Sequence, residues 1–416
     1  MAGAAAGREV AQKACLLEGL TQLLAVTPGD FAVVLHSDPD CANLVWRDFR
    51  AADPSRFFCT NLSERDVLGG TSGRALAEAI REVGAERSPA TIVVIGGCVA
   101  SMLSDDLAAI AERAGKGLRA RVVTVQSEAF RLYGQASVMD LFSSLMWDMS
   151  AGRGRKAPRS VSLLGYPPDG GEAARIMGAY GARIAASPAA GDPPEAWARL
   201  AAGSLNVVSD ARLYRGLIEG MERKPGIPWV EIPPPLGLAA TMAFHGGIAE
   251  RLGLAGRARP VIRSASRPAI RALRAARRAL HGSRIGYHVA GRKDFSLHVV
   301  VREGLAGVAM LREMGLDVRL LFQGSADGAA GDRIRSMLDG YGIDLPFTPL
   351  RDRPSLARAI REMRLDAVYC SDSLGEEVAS AGVPLVPIGS LLQGFEGLVE
   401  TAGRLASMAR PPGGGR

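Results

Sequence analysis

A chain of 416 residues, 47% apolar and 22% charged, is long enough for two or three domains, each with its own core. No apolar run approaches the ~20 residues needed to span a bilayer, and five cysteines in this length do not make a disulfide framework, so a reducing cytoplasm is expected. The Ala-rich start Met1-Ala-Gly-Ala-Ala-Ala-Gly-Arg8 lacks a long apolar core and reads as no signal peptide.

Short β-branched runs separated by helical stretches predict parallel α/β domains. An apolar helical run covers Leu16 to Val26. Strands are predicted at Phe31–Ser37, Arg56–Thr60, Thr91–Gly97 and Arg121–Gln126, with helices at Arg74–Val83 and Asp105–Ala114. The break Ala151-Gly-Arg-Gly-Arg-Lys-Ala-Pro158 marks a boundary. Beyond it come a strand at Ser160–Tyr166, a helix at Gly171–Tyr180, a strand at Leu205–Val208 and an end near Ile227–Pro233. A helical crossover leads to strands at Arg284–Val289, Asp317–Phe322, Asp366–Tyr369 and Val383–Pro387. The predicted division is residues 1–155, 156–280 and 281–410, with a disordered tail at 411–416.

The net charge is +7, and most of the excess lies between Arg251 and Arg284. Spacing of three to four sets Arg263, Arg267, Arg271, Arg274 and Arg278 along one helical stripe. Such a stripe suits phosphate, an acidic protein or an acidic ligand; the plain alternative is a solvated face. Without interleaved aromatics or a nucleic-acid fold motif, neither nucleic acid nor membrane is expected as a partner. No Walker A or Gly-x-Gly-x-x-Gly follows a strand, so this chain itself is expected to bind no ATP or dinucleotide.

Three cysteines stand where predicted strands end or helices begin: Cys15 before Leu16–Val26, Cys41 after Phe31–Ser37, and Cys98 after Thr91–Gly97. In a parallel α/β domain such ends converge on one sheet edge. A helix N-terminus favours a thiolate by roughly 0.3–1 kcal/mol, and the thiolate is the form that binds iron. A shared metal cluster is one reading; buried structural thiols are the other.

The surrounding segments resemble the nitrogenase component 1 family, in order along nearly the whole chain. Ser37-Asp-Pro-Asp-Cys41 after His36 resembles its His-Gly-Pro-x-Gly-Cys loop. Cys59-Thr-Asn-Leu-Ser-Glu-Arg-Asp-Val-Leu-Gly-Gly70 resembles its Thr/Ser-rich turn and Gly-Gly motif, and Gly97-Cys98-Val-Ala-Ser-Met-Leu-Ser-Asp-Asp106 its next cysteine motif. Glu128-Ala-Phe-Arg131, Leu205-Asn-Val-Val208, Gly226-Ile-Pro-Trp-Val-Glu231 and Gln393-Gly-Phe-Glu-Gly397 continue the likeness.

The resemblance implies three Rossmann-like α/β domains with mainly parallel sheets, and a subunit of a nitrogenase-like two-component reductase. It implies an iron–sulfur cluster, four-iron or a larger eight-iron form, at an interface with a homologous second subunit, most simply in a heterotetramer, and ligated by Cys15, Cys41 and Cys98. An ATP-dependent four-iron iron protein would supply electrons; Glu128 and Arg131 would support the cluster from behind. Three departures stand out. Asp38 and Asp40 replace the loop glycines, suggesting altered packing or an oxygen ligand, against ordinary turn and N-cap chemistry. Val99 replaces a proline. Asp210 and Gln393 occupy positions where the catalytic subunit of nitrogenase carries a cysteine and a histidine for its large cofactor, so nitrogen fixation by this chain is not expected.

Cys59 and Cys370 read as core thiols, and His36 as a structural histidine or one that orients the Cys41 loop. His245, His281, His288 and His298 form no His-x-x-x-His pair, so zinc is not expected. Two other functions share the pattern: an iron–sulfur cluster or cofactor assembly scaffold of the same fold, and a cluster-free small-molecule-binding α/β protein.

Overall fold

The computed structural model describes residues 16–126, 138–150, 156–166, 171–290, 306–323, 332, 335–336, 338–339 and 342–408. Cys15, the 128–131 segment, His298 and the 411–416 tail lie outside them. The chain gathers into two compact units, one taking Gln12–Gly165 and Ala185–Val230, the other Tyr166–Ile184 and Glu231–Arg416.

The first unit is built on strands β1 (Phe31–His36), β2 (Phe57–Cys59), β3 (Thr91–Gly96) and β4 (Arg121–Gln126), in the order β2-β1-β3-β4. All are parallel, and β1 aligns with β3 from Phe31↔Thr91 to His36↔Gly96. Every residue of β1 and β3 is buried, because helices cover both faces of the sheet. That explains why these strands read as unbroken apolar runs. Val34, Ile92 and Val94 pack with Leu76, Ile80 and Ile110 on one face. A second sheet has the same order, β6-β5-β7-β8, from β5 (Ser160–Leu164), β6 (Arg183–Ala186), β7 (Leu205–Val208) and β8 (Trp229–Glu231); the chain passes between the two units within β6 and β8.

The other unit holds the sheet β11-β10-β9-β12-β13, from β9 (Arg284–Ala290), β10 (Asp317–Gln323), β11 (Phe347–Leu350), β12 (Ala367–Cys370) and β13 (Leu385–Pro387). Its pairings are also parallel. Three doubly wound parallel sheets are therefore present, as the resemblance implied. Sequence reasoning missed β6 and β11. Both are four-residue edge strands, one carrying two alanines and the other a proline, which only an edge tolerates.

The arginine-rich segment is one helix, Ala255–Ala279, running through Pro260 and Pro268. An interior proline costs about 3 kcal/mol in a helix. Tertiary packing offsets it: Ala258, Ile262, Ala269, Leu273 and Ala276 are buried, and the helix packs on Leu238–Arg251, Gly394–Met408 and Glu172–Tyr180. No described helix is long and apolar enough to cross a membrane.

The Gln393–Gly397 motif has a structural explanation. Glu172, 3% exposed, accepts hydrogen bonds from the backbone N–H of Phe395 (3.1 Å) and Glu396 (3.2 Å), which are first-turn donors of the helix Gly394–Met408. Gly394 sits at φ +82°, and a Cβ there would run into the Glu172 carboxylate. Glu172→Ala leaves these N–H groups buried and unpaired, and should lower unfolding stability by roughly 1–3 kcal/mol in chemical denaturation. Exposed Glu396→Ala should leave it within about 0.5 kcal/mol.

His288 on β9 is buried with Nδ1 unpartnered, and burial lowers its pKa from 6.5 to about 4. The unfolded chain therefore binds the extra proton first. The stability this residue contributes is complete above pH 6.5 and lost as pH falls through about 4, by roughly 3 kcal/mol. Denaturation midpoints of His288→Leu should fall less steeply across that window than those of the unmodified chain.

Candidate metal centre

In a parallel sheet of order 2-1-3-4, the crevice opens beyond the carboxyl ends of the two strands flanking the switch in order. Here those strands are β1 and β3. Cys41 and Cys98 follow those two ends.

β1 ends at His36 and turns through Ser37 and Asp38 into the helix Pro39–Ala52, which places Cys41 in the first turn. Asp38 is the N-cap: its Oδ1 accepts from the N–H of Asp40 (3.0 Å) and Cys41 (3.1 Å), and its Oδ2 accepts from Ser37 Oγ (3.0 Å). These bonds account for Asp38 as turn and cap chemistry. Burial alone would raise its pKa, but the N–H and O–H donors outweigh burial and hold the carboxyl below its ordinary value. Asp40 is exposed.

β3 ends at Gly96, and Gly97 caps the helix Cys98–Met102 with Cys98 as its first residue. Gly97 N–H donates to His36 O at 3.0 Å, tying the two strand ends together. A Cβ on Gly97 would strike the Ser37 side chain, and one on Gly96 would sit 2.7 Å from Gln126 Oε1. The approach of the two strand ends requires the glycine at position 97.

A buried polar network lies beneath the rim. His36 Nε2 is 3.1 Å from Asp105 Oδ2, and its Nδ1 is 3.1 Å from Thr60 Oγ1. A carboxylate only accepts, so Nε2 carries the proton, and in the neutral ring Nδ1 shares the single Thr60 hydroxyl hydrogen with Ser37 O, 3.3 Å from Thr60 Oγ1. Thr60 Oγ1 also accepts from Ser37 N–H (3.2 Å), and Asp105 Oδ1 from Ser72 Oγ (3.1 Å). Burial lowers the His36 pKa against the pull of Asp105, so the ring is neutral near pH 7. Ser37, Thr60, Ser72 and Asp105 were missed as positioning residues by sequence reasoning. Ser37, Thr60 and Asp105 lie inside the motifs that carry the resemblance, but their partners are far apart in sequence.

Cys41 and Cys98 are both half-buried and close enough for the charge of one to act on the other. Burial first, then the charges of Asp38 and a Cys98 thiolate, push the Cys41 thiol up to about 11; a hydrogen bond with Ser37 opposes this. At Cys41 burial, with the Asp38 charge, sets the net direction upward, against the thiolate that a helix N-terminus favours. Asp38 brings a full negative charge to the same N–H groups. A thiol in this state stays protonated until a cation displaces the proton, which metal binding does.

Cys59 ends β2, its Sγ 3.7 Å from Ser37 O and 3.4 Å from the N–H of Asn61. It is half-buried rather than core. Cys370 is fully buried on β12 among Leu321, Leu356 and Val378, a core thiol pushed up to about 12 by burial and then by Asp372 and Glu377. Asp210 is buried and closes the turn Ala211–Leu213, accepting from Arg212 N–H (2.9 Å) and Nη2 (3.1 Å). Gln393 directly precedes the helix held by Glu172. Among the described residues no three His, Cys, Asp or Glu side chains form a metal-binding group. Cys41 and Cys98 supply two sulfurs; the third expected sulfur, Cys15, lies outside the described residues.

The fold is that of a doubly wound parallel α/β protein, with Cys41 and Cys98 on the helices that follow the two switch-point strands. The chain belongs to the nitrogenase component 1 type oxidoreductase family, whose profile matches residues 24–408. It is 26% identical over 257 residues to the nitrogenase iron-molybdenum cofactor biosynthesis protein NifE of Methanococcus maripaludis, covering 59% of this chain and only about half, 52%, of that relative. The protein of the same name from Rippkaea orientalis is 22% identical over 427 residues, 97% of this chain and 86% of the relative. The solved structure "Nitrogenase Cp1 at pH 5" superposes with a TM-score of 0.62 at 17% identity, covering 96% of this chain and 88% of that one, and so shares the fold.

Asp38→Ser keeps the cap and removes the charge. The pH at which Cys41 becomes half-reactive toward iodoacetamide should then fall relative to the chain that keeps Asp38, both measured with the other thiols replaced. An unchanged profile would show that burial alone sets it.

Proposed function

We propose that this chain is a subunit of a nitrogenase-like two-component reductase, with Cys15, Cys41 and Cys98 holding an iron–sulfur cluster at an interface with a homologous second subunit. An ATP-dependent iron protein would deliver the electrons, and the complex would work in the cytoplasm. The observation that supports this reading is the placement of Cys41 and Cys98 on the helices that follow β1 and β3, the two strands of the switch point, in a member of this family.

The residues present fit such a group. Two half-buried thiols stand in the first turns of the helices that follow adjacent strand ends, and Gly97 lets those ends approach closely. When bound, the cluster supplies one-electron transfer, at a potential within the roughly −700 to +450 mV range of protein clusters. The chain's own task is positioning. Asp38 fixes the Cys41 turn, and the His36–Asp105–Ser72 network fixes the strand end beneath it. Leu44 and Trp46, on the helix that carries Cys41, and Met102, on the helix that Cys98 opens, are exposed apolar side chains suited to a paired subunit. Asp210 and Gln393 offer neither thiolate nor imidazole, so the substrate would not be reduced on a cofactor held through those two positions.

A second reading is an assembly scaffold that holds a cluster or cofactor precursor and passes it on. The names of the relatives from Methanococcus maripaludis and Rippkaea orientalis favour it. The two readings separate in a turnover assay with an iron protein, ATP and dithionite: a reductase consumes a reducible substrate, whereas a scaffold loses its iron to an acceptor protein and reduces nothing. For the site itself, anaerobically purified Cys98→Ala should lose most bound iron and sulfide, while Cys370→Ala keeps wild-type content. Equal iron in the two variants would refute the ligand assignment.

A further inference from the structure

We infer that the arginine stripe of the helix Ala255–Ala279 is a docking surface for an acidic α-helix of a partner protein. Arg263, Arg267, Arg271, Arg274 and Arg278 are all exposed, and none of their guanidinium groups makes a hydrogen bond or ion pair with another described residue. At about 100° per residue the five fall within a sector of about 80°, along about 22 Å of helix. The helix contains no Asp or Glu. A solvated face ordinarily intersperses both signs, and like charges three and four residues apart repel. This stripe therefore carries an uncompensated field that an anionic partner would relieve.

The geometry selects the kind of anion. Steps of four, four, three and four residues repeat the pitch of an α-helix, so carboxylates at the same spacing on a helix lying alongside meet all five guanidinium groups. Arginine alone is used, and its planar fork binds carboxylate through two parallel hydrogen bonds. A nucleic-acid duplex fits poorly. Entry into a major groove about 12 Å wide needs a helix free on its flanks, whereas Ile262, Ala269 and Leu273 are buried against neighbouring helices. The helix also has no aromatic residue for stacking on bases. A bilayer fits poorly too, since no large apolar side chain is exposed on this helix. A second copy presenting the same stripe would repel the first.

The test is fluorescence anisotropy on the full-length protein. The probe is a labelled peptide of about 20 residues, Ala/Gln-based, with five glutamates at the matching 4-4-3-4 spacing. A peptide of identical composition with its glutamates spread around the helix, a DNA duplex and phosphatidylglycerol vesicles serve as competitors. The matched peptide should bind, more weakly as salt rises, and should bind better than the scrambled one. Replacing all five arginines by glutamine should weaken binding about tenfold or more. The single reversals Arg267→Glu and Arg271→Glu, with unchanged circular dichroism, should each weaken it. Equal binding of matched and scrambled peptides, unchanged binding by the variants, or tighter binding of duplex or vesicles would overturn the proposal.

Discussion

The site rests on one close approach, where Gly97 at the end of β3 passes the Ser37 turn at the end of β1. The Gly97 N–H bond to His36 O locks the two ends together, and the missing side chain at Gly97 is what makes room. Because the strand order reverses between β1 and β3, this is also where the helices leaving the two strands diverge to opposite faces of the sheet. A crevice opens there for topological reasons. Cys41 and Cys98 stand in the first turns of the helices that follow those strands.

Electrostatics at the rim run against a bare thiolate. Asp38 earns its place as a cap, but its ionised carboxyl lies beside Cys41 and raises the thiol further than burial alone would. Free of metal, the thiol is therefore protonated and a poor nucleophile at neutral pH. The neutral His36 ring below, fixed between Thr60 and Asp105, holds the strand end without adding positive charge to the rim.

The other unit uses a buried carboxylate for a different purpose. Glu172 satisfies the first-turn N–H groups of a helix more than 200 residues away in sequence, and the glycine of the Gln393–Gly397 motif leaves room for that carboxylate. In this chain the motif is explained by helix capping. The neighbouring arginine helix shows the same priority of tertiary over local forces. Its two prolines oppose helix formation, yet the packed apolar face carries it through unbroken.

By itself the sequence determined the central strands, whose β-branched runs have no other stable use, the positions of Cys41 and Cys98 after them, and the one-sided arginine stripe, which follows from spacing alone. Ordered motifs along the chain also fixed the family. Only the tertiary structure decided which strands are neighbours, and hence that β1 and β3 share the switch point, because strand order is a choice among long-range pairings that local sequence does not encode. It alone joined His36 to Asp105 and Glu172 to Phe395, and it alone showed Cys41 raised rather than lowered. A pKa is set by burial and by charges gathered from other elements, and these exist only once the chain has folded.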